Sequence, residues 1–211
     1  FAEQVIGAPV VLVGHSLGGL VALSCGVLFP HWVRAVVAAP LPDPSLLMPP
    51  RRPGRRRPWQ RRLRRALVTL LCGLLPLELI VPLLVHSPLL DLGIQAAYSA
   101  AVIGDRELRR LIAGPARRPT AVRALRAMSR AMALRPFGAT ARALLPRLQR
   151  PLLLVWGTAD RLVPLAVAAQ CRALQPALEL QPLAGLGHCP HDEGSERFNG
   201  LLLDWLQRTL A

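Results

Sequence analysis

Pro9-Val10-Val11-Leu12-Val13-Gly14-His15-Ser16-Leu17-Gly18-Gly19-Leu20-Val21-Ala22-Leu23 decides how this chain is read. Its first part is an unbroken run of valine and leucine, the pattern of a strand buried on both faces of a parallel sheet. Its last part opens a helix. Between them stands G-x-S-x-G, a sharp strand-to-helix turn that leaves a serine hydroxyl exposed at its tip. Glycine is expected at positions 14 and 18 because a Cβ there would press on the neighbouring strand or helix. Ser16 is therefore a candidate nucleophile, and the Leu17 backbone N–H a candidate oxyanion donor.

A serine hydroxyl needs a general base, and the base needs an acid to orient it. Two further strand-like runs supply them. Pro151-Leu152-Leu153-Leu154-Val155-Trp156 is followed by Gly157-Thr158-Ala159-Asp160, and Leu178 to Gln181 is followed by Gly187-His188-Cys189-Pro190. Catalytic groups collect at the carboxyl ends of strands in open α/β sheets, so three polar residues after three strands converge on one rim. The assignment is Ser16 as nucleophile, His188 as general base and then acid, and Asp160 as orienter of the imidazole. His191 is the competitor to His188; its neighbours Asp192 and Glu193 make it a cap or ion-pair partner at the start of the last helix. His15 is read as part of the serine's surroundings, and His31 and His86 as surface or core histidines.

At 211 residues the chain fits one domain with a sizeable insertion. The core is expected at 1–40 and 151–211: strand Val10 to Val13, a helix from Leu17 to Phe29 stopped by Pro30, strand Trp32 to Ala38, the Asp160 strand, a helix from Leu165 to Leu174, the Leu178 strand, the His188 loop and a closing helix from Glu196 to Leu210. Residues 41–150 are far too long for a crossover and read as a helical cap. Its first part, Pro49 to Arg65, carries nine arginines, at 51, 52, 55, 56, 57, 61, 62, 64 and 65. Ala66 to Leu90 follows with Glu78 as its only formal charge, and Asp91 to Leu145 reads as helices with charged faces. Pro76, Pro82 and Glu78 argue against a membrane span in the apolar part and for a pair of cap helices.

The 26 basic residues are all arginine and face 12 acids, a net charge of +14. The arginine segment lacks interleaved aromatics apart from Trp59, which argues against nucleic acid as partner. A basic segment beside an apolar one suits a solvated loop or an anionic lipid surface. Cys25, Cys72, Cys171 and Cys189 show no metal spacing and read as free thiols, consistent with a cytoplasmic or peripheral membrane location. No cofactor or metal is expected.

With elbow, acid and histidine in place, the chain resembles the α/β-hydrolase superfamily. The stretch Gly187-His188-Cys189-Pro190-His191-Asp192-Glu193, with Glu196 and Asn199, is similar to the histidine loop of the cyanobacterial and plastid hydrolases that include pheophytinase and chlorophyll dephytylase. Ala97-Tyr98, Asp105-Arg106-Glu107-Leu108 and Pro119-Thr120-Ala121 are a more diffuse echo of their cap. The likeness runs from Val10 onward. It departs at Gly194-Ser195, where those proteins often carry proline, and at Arg161-Leu162-Val163, where they tend to carry an aromatic. The resemblance implies an α/β-hydrolase fold, a parallel sheet flanked by helices with a helical cap. It also implies hydrolysis of a long-chain carboxylic ester, such as a phytyl ester of a chlorophyll-type pigment, at a thylakoid-type membrane. Small-ester hydrolysis, haloperoxidase-type activity and a silent module that binds a hydrophobic ligand are the alternatives. The resemblance also implies that the amino-terminal strands, with the loop holding the second oxyanion N–H, are absent and that these residues are a carboxyl-terminal fragment.

Overall fold

Aliphatic runs bury both faces only inside a covered sheet, and the runs at 33–39 and 152–157 do so here, whereas the run at 10–13 lies at the sheet edge and is only half-buried, with Val13 52% exposed. In the computed structural model, which describes residues 1–47 and 58–210, β1 (Val10–His15), β2 (Val33–Ala39), β3 (Leu152–Gly157) and β4 (Glu179–Leu183) lie side by side in that order, every pair parallel. A parallel sheet flanked by helices, the architecture that the resemblance implies, is the one observed. Each strand lies within two residues of its sequence-predicted position. Residues 1–8 hold one π-helical turn, Ala2–Ile6, that buries nothing.

Alternation along the central strands sends side chains to two separate cores. Val36 and Ala38 of β2 and Leu152, Leu154 and Trp156 of β3 face one side. There they meet Leu20 and Leu23 of α1 (Leu17–Leu28), Leu144 of α8 (Ala141–Leu144) and Val167, Ala168 and Cys171 of α9 (Ala166–Leu174). Ala35, Val37, Leu153 and Val155 face the other side and pack on Phe198 and Trp205 of the closing helix α10 (Ser195–Leu210). Trp156 is fully buried and donates its indole N–H to the Val163 carbonyl at 2.8 Å, so its one polar atom is satisfied inside the core.

The chain divides into two compact units. The first contains the described residues of Phe1–Pro50, Ala96–Ala101 and Gly138–Ala211, and the second those of Arg51–Gln95 and Val102–Phe137. These bounds are narrower than the 41–150 insertion expected from sequence. The physical reason lies in α2 (Pro44–Leu47) and α8 with the turn after it, whose Leu46, Leu144, Leu145 and Leu148 belong to the sheet's own core. Buried Asp43 joins these segments by accepting from Ser45 N at 2.9 Å and Ala141 N at 2.5 Å. Arg142 Nε adds a bond to the Ser45 carbonyl at 2.7 Å.

The second unit is helical: α3 (Pro58–Leu74), α4 (Leu77–His86), most of α5 (Leu89–Ala97), α6 (Arg106–Ala113) and α7 (Ala121–Leu134). Asp105 caps α6 by accepting from Leu108 N at 2.9 Å, which satisfies one of the helix's free amino-terminal donors. The two helices expected in this apolar stretch are found as α3 and α4, bent by 51° between them. Arg61, Arg62, Arg64 and Arg65 are continuous with the apolar stretch inside one helix. Arg51, Arg52, Arg55, Arg56 and Arg57 lie outside the described residues. No single helix among the described residues is long and apolar enough to cross a membrane.

Candidate active site

The elbow begins where β1 runs out. Ser16 sits at φ 51°, ψ −119°, the one non-glycine residue with positive φ among those described, so its backbone is held in a region that L-residues rarely occupy. Such strain persists only where surrounding packing enforces it. Gly14 supplies that enforcement, since a Cβ on it would fall 2.3 Å from the Gly18 carbonyl carbon and oxygen. The crowding expected at Gly18 is found instead at Gly19, whose Cβ would stand 2.9 Å from the Ala38 Cβ; Gly18 itself faces open space. Strand and helix thus pinch together at 14 and 19, and the serine is carried on the fold between them.

His188 Nδ1 donates to Asp160 Oδ2 at 2.9 Å, and Ser16 Oγ lies 3.0 Å from His188 Nε2. The carboxylate can only accept, which fixes the proton on Nδ1 and leaves Nε2 to accept from the serine. Residues spaced by 144 and 28 positions in sequence are joined in one chain of hydrogen bonds. Asp160 is 7% and His188 6% exposed. The second carboxylate oxygen accepts from Leu162 N and Val163 N, both at 2.8 Å, so the buried anion has three donors. The acid and histidine loops approach so closely that a Cβ on Gly157 would lie 2.1 Å from the Gly187 carbonyl oxygen. Leu17 heads α1, where backbone N–H groups have no partner within the helix. Such an arrangement can take a proton from the serine hydroxyl as an oxygen–carbon bond forms.

Much of what holds this geometry was not legible along the chain. Glu193 was expected beside His191. Instead its Oε1 accepts from Gly187 N at 2.9 Å and Cys189 N at 3.2 Å, while Oε2 accepts from Ser99 N and Ser99 Oγ at 2.7 and 2.6 Å. Tyr98 Oη donates to Asp192 Oδ2 at 2.6 Å, and His188 N donates to the Ala97 carbonyl at 2.7 Å. The segment Ala97–Ser99 is thereby laced to the histidine loop across some 94 residues of sequence. Burial and that carboxylate hold the Tyr98 hydroxyl well above the ordinary phenol range. The sequence contained Tyr98, Asp192 and Glu193, but no spacing connects them.

His191 lies inside the short helix Pro190–Glu193, which Cys189 precedes as N-cap, and its ring packs on His15 with centroids 4.5 Å apart. His15 Nε2 lies 3.0 Å from the His188 carbonyl oxygen and donates to it, tying elbow to histidine loop. Burial lowers the pKa of both His15 and His191, which keeps them neutral at neutral pH. Cys189 is adjacent to the base, but burial pushes its thiol up to about 11, so it is protonated and a poor rival nucleophile. Among the described residues no group of three His, Cys, Asp or Glu side chains is arranged to hold a metal ion.

Residues 1–201 match the family described as "Alpha/beta hydrolase family". Among solved structures the chain is similar to a thermophilic esterase from Thermogutta terrifontis, with a TM-score of 0.66 and 19% identity, covering 98% of this chain and 68% of that one. At that identity the likeness is one of fold. Curated relatives match over shorter stretches. A magnesium-chelatase 30 kDa subunit of Rhodobacter capsulatus is 36% identical over 63 residues, 30% of this chain and 22% of that protein. A 2-hydroxy-6-oxononadienedioate/2-hydroxy-6-oxononatrienedioate hydrolase of a Pseudomonas species is 37% identical over 65 residues, 31% of this chain and 23% of that protein.

Proposed function

Since the chain belongs to the alpha/beta hydrolase family, we propose that it is a serine hydrolase that cleaves a carboxylic ester of a large hydrophobic substrate, a phytyl or other lipid ester. The observation that carries the reading is the unbroken chain of hydrogen bonds from Asp160 through His188 to Ser16. Ser16 Oγ attacks the ester carbonyl carbon as its proton passes to His188 Nε2. The Leu17 N–H donates to the oxyanion. The carbon–oxygen bond to the alcohol then breaks, and the imidazolium returns the proton to the leaving oxygen. Water, deprotonated by the same nitrogen, attacks the acyl carbon; the bond to Oγ breaks and the proton returns to the serine. Asp160 holds the tautomer and the developing positive charge without taking the proton. The hydrophobic substrate is favoured by the inserted segment Ala66 to Leu90, with its single formal charge. Each buried CH₂ of an alkyl chain contributes roughly 0.8 kcal/mol, so long esters gain most from apolar surroundings.

Labelling with a fluorophosphonate tests the nucleophile: the modification is expected on Ser16 and on no other serine. Ser16→Ala should abolish ester turnover and His188→Ala should lose nearly as much, whereas His191→Ala should keep most of it. Asp160→Asn should lower kcat on the order of 10⁴-fold. In a series of alcohol esters, catalytic efficiency should rise with alkyl length. A second reading, hydrolysis of a soluble 2-hydroxy-6-oxo dienoate, is favoured by the match to the 2-hydroxy-6-oxononadienedioate hydrolase. Turnover of a soluble 2-hydroxy-6-oxo dienoate with no turnover of long-chain esters would select it.

A further inference from the structure

The net charge of this protein is confined to one of its two units. The sequence segments of the helical unit, 51–95 and 102–137, contain 18 arginines and 4 acids. The remaining segments contain 8 arginines and 8 acids, so the whole excess of +14 belongs to the helical unit. A genome-wide preference for arginine over lysine does not separate charge in this way. It would supply arginine to both units alike.

The same unit exposes an apolar ridge. On α3, Leu63, Leu67, Leu70, Leu71 and Leu74 recur with helical period on one face, and each is 52–68% exposed. On the other face of α3, Thr69, Cys72 and Gly73 line a cavity together with Arg123, Arg126 and Arg130 of α7. The ridge continues past the bend onto α4, where Leu79 and Leu83 are 74% and 72% exposed while Val81 and Val85 are buried. Arg62, Arg64 and Arg65 are exposed on the turns that precede the leucines, with Trp59 at the start of the helix. Leucine on one side of a helix, arginine about it and, among the described residues, no single helix long enough to cross describe a helix lying in an interface plane, and the 51° bend between α3 and α4 breaks the longer apolar stretch.

We infer that the helical unit is a membrane-docking module: the α3–α4 leucine ridge enters the headgroup–acyl boundary of an anionic bilayer, and the arginines around it engage lipid phosphates. Charge complementarity selects this occupant. A second copy of the chain would bring one +14 unit against another, and a neutral partner would leave the arginines unused. The inference rests on the proposed action on a hydrophobic ester and deepens it, since such a substrate resides in the bilayer at which the protein docks.

The test uses the protein with vesicles of phosphatidylcholine alone and with phosphatidylglycerol added. Sedimentation with the anionic vesicles is expected, with little sedimentation on phosphatidylcholine. The attraction should weaken as salt rises toward 1 M, where the Debye length falls to about 3 Å. Trp59 fluorescence should shift to the blue on binding, a shift lost in Trp59→Phe. Leu67→Gln with Leu71→Gln should weaken anionic-vesicle binding on the order of a hundredfold, because each exposed leucine loses its transfer to hydrocarbon. Both side chains are more than half exposed, so the variant should keep the parent's circular dichroism. Binding equal on both vesicle types, binding without the Trp59 shift, or unaltered binding by the leucine variant would overturn the inference. So would a dimer that persists in the presence of anionic vesicles. Ser16→Ala separates the two readings: it should bind vesicles as the parent does, so loss of turnover with docking retained tests the hydrolase alone.

Discussion

Three histidines crowd the serine, and position in space separates their roles. His188 alone has both an acid on one nitrogen and the serine hydroxyl on the other. His191 packs on His15, and His15 spends its Nε2 on the His188 carbonyl. The acids separate in the same way. Asp43 is as buried as Asp160, but its oxygens accept from backbone N–H groups at Ser45 and Ala141. His15 also makes stability depend on pH. Burial lowers its pKa in the folded protein below the ordinary value of 6.5, so the unfolded chain takes up the proton first as pH falls. The contribution is full above about pH 6.5 and is lost as pH drops through and below that value. Thermal unfolding between pH 7.5 and pH 5 on the order of unit steps should show Tm falling, with a smaller fall in His15→Gln. An identical slope in that variant would remove His15 from the account.

At the scale of elements, the elbow and the histidine loop are each locked by a contact that a single substitution can probe. At Gly14 a Cβ would lie 2.3 Å from backbone atoms of α1, whereas at Gly18 nothing lies within 4 Å. Gly14→Ala should therefore prevent folding or cost more than about 3 kcal/mol, because backbone cannot move aside as a side chain can. Gly18→Ala should be neutral or stabilising by up to about 1 kcal/mol, since alanine is the better helix former. Urea unfolding of the two variants decides between this placement of the crowding and the symmetrical one read from the motif. The histidine loop depends on Glu193, whose four bonds are charge-assisted. Glu193→Gln turns an amide donor toward backbone N–H groups and should cost about 2 kcal/mol. It should also slow fluorophosphonate labelling of Ser16 by loosening His188. Asp192→Asn keeps an acceptor for Tyr98 and should lose much less in the same two assays.

At the scale of the molecule, the two units are stabilised differently. The sheet unit has two full cores, one on each face. The helical unit has a small cluster around Val81, Val85 and Ala113, and the excess of +14 lies in its sequence. Like charges at that density repel, and salt screens them over about 10 Å at 0.1 M. Amides of α3, α4 and α7 should exchange faster than those of β2 and β3, the order that sparse burial dictates. Raising salt should slow exchange in those helices and leave the strands unchanged. Hydrogen exchange read by mass spectrometry at low and high salt checks both statements; a salt effect of equal size in β3 would contradict them.

Local chemistry along the chain was enough for the strand, elbow and helix at 10–28, the strand leading to Asp160 and the loop of His188. A strand buried on both faces must be aliphatic, a tight turn must have glycine, and a catalytic loop must begin where a strand ends. These demands are met by neighbouring residues, so sequence order displays them. The separation of 18 arginines from 8 was also present in the sequence, but it became visible only when folding said which segments share a unit. Tertiary structure alone decided that Gly19 rather than Gly18 takes the crowding and that 41–47 and 138–150 belong with the sheet. It alone joined Glu193 to Ser99 and packed His191 against His15. Those facts depend on contacts between residues far apart in the chain. No propensity or spacing encodes such contacts, because a side chain's partner is fixed by where the packed core brings the backbone.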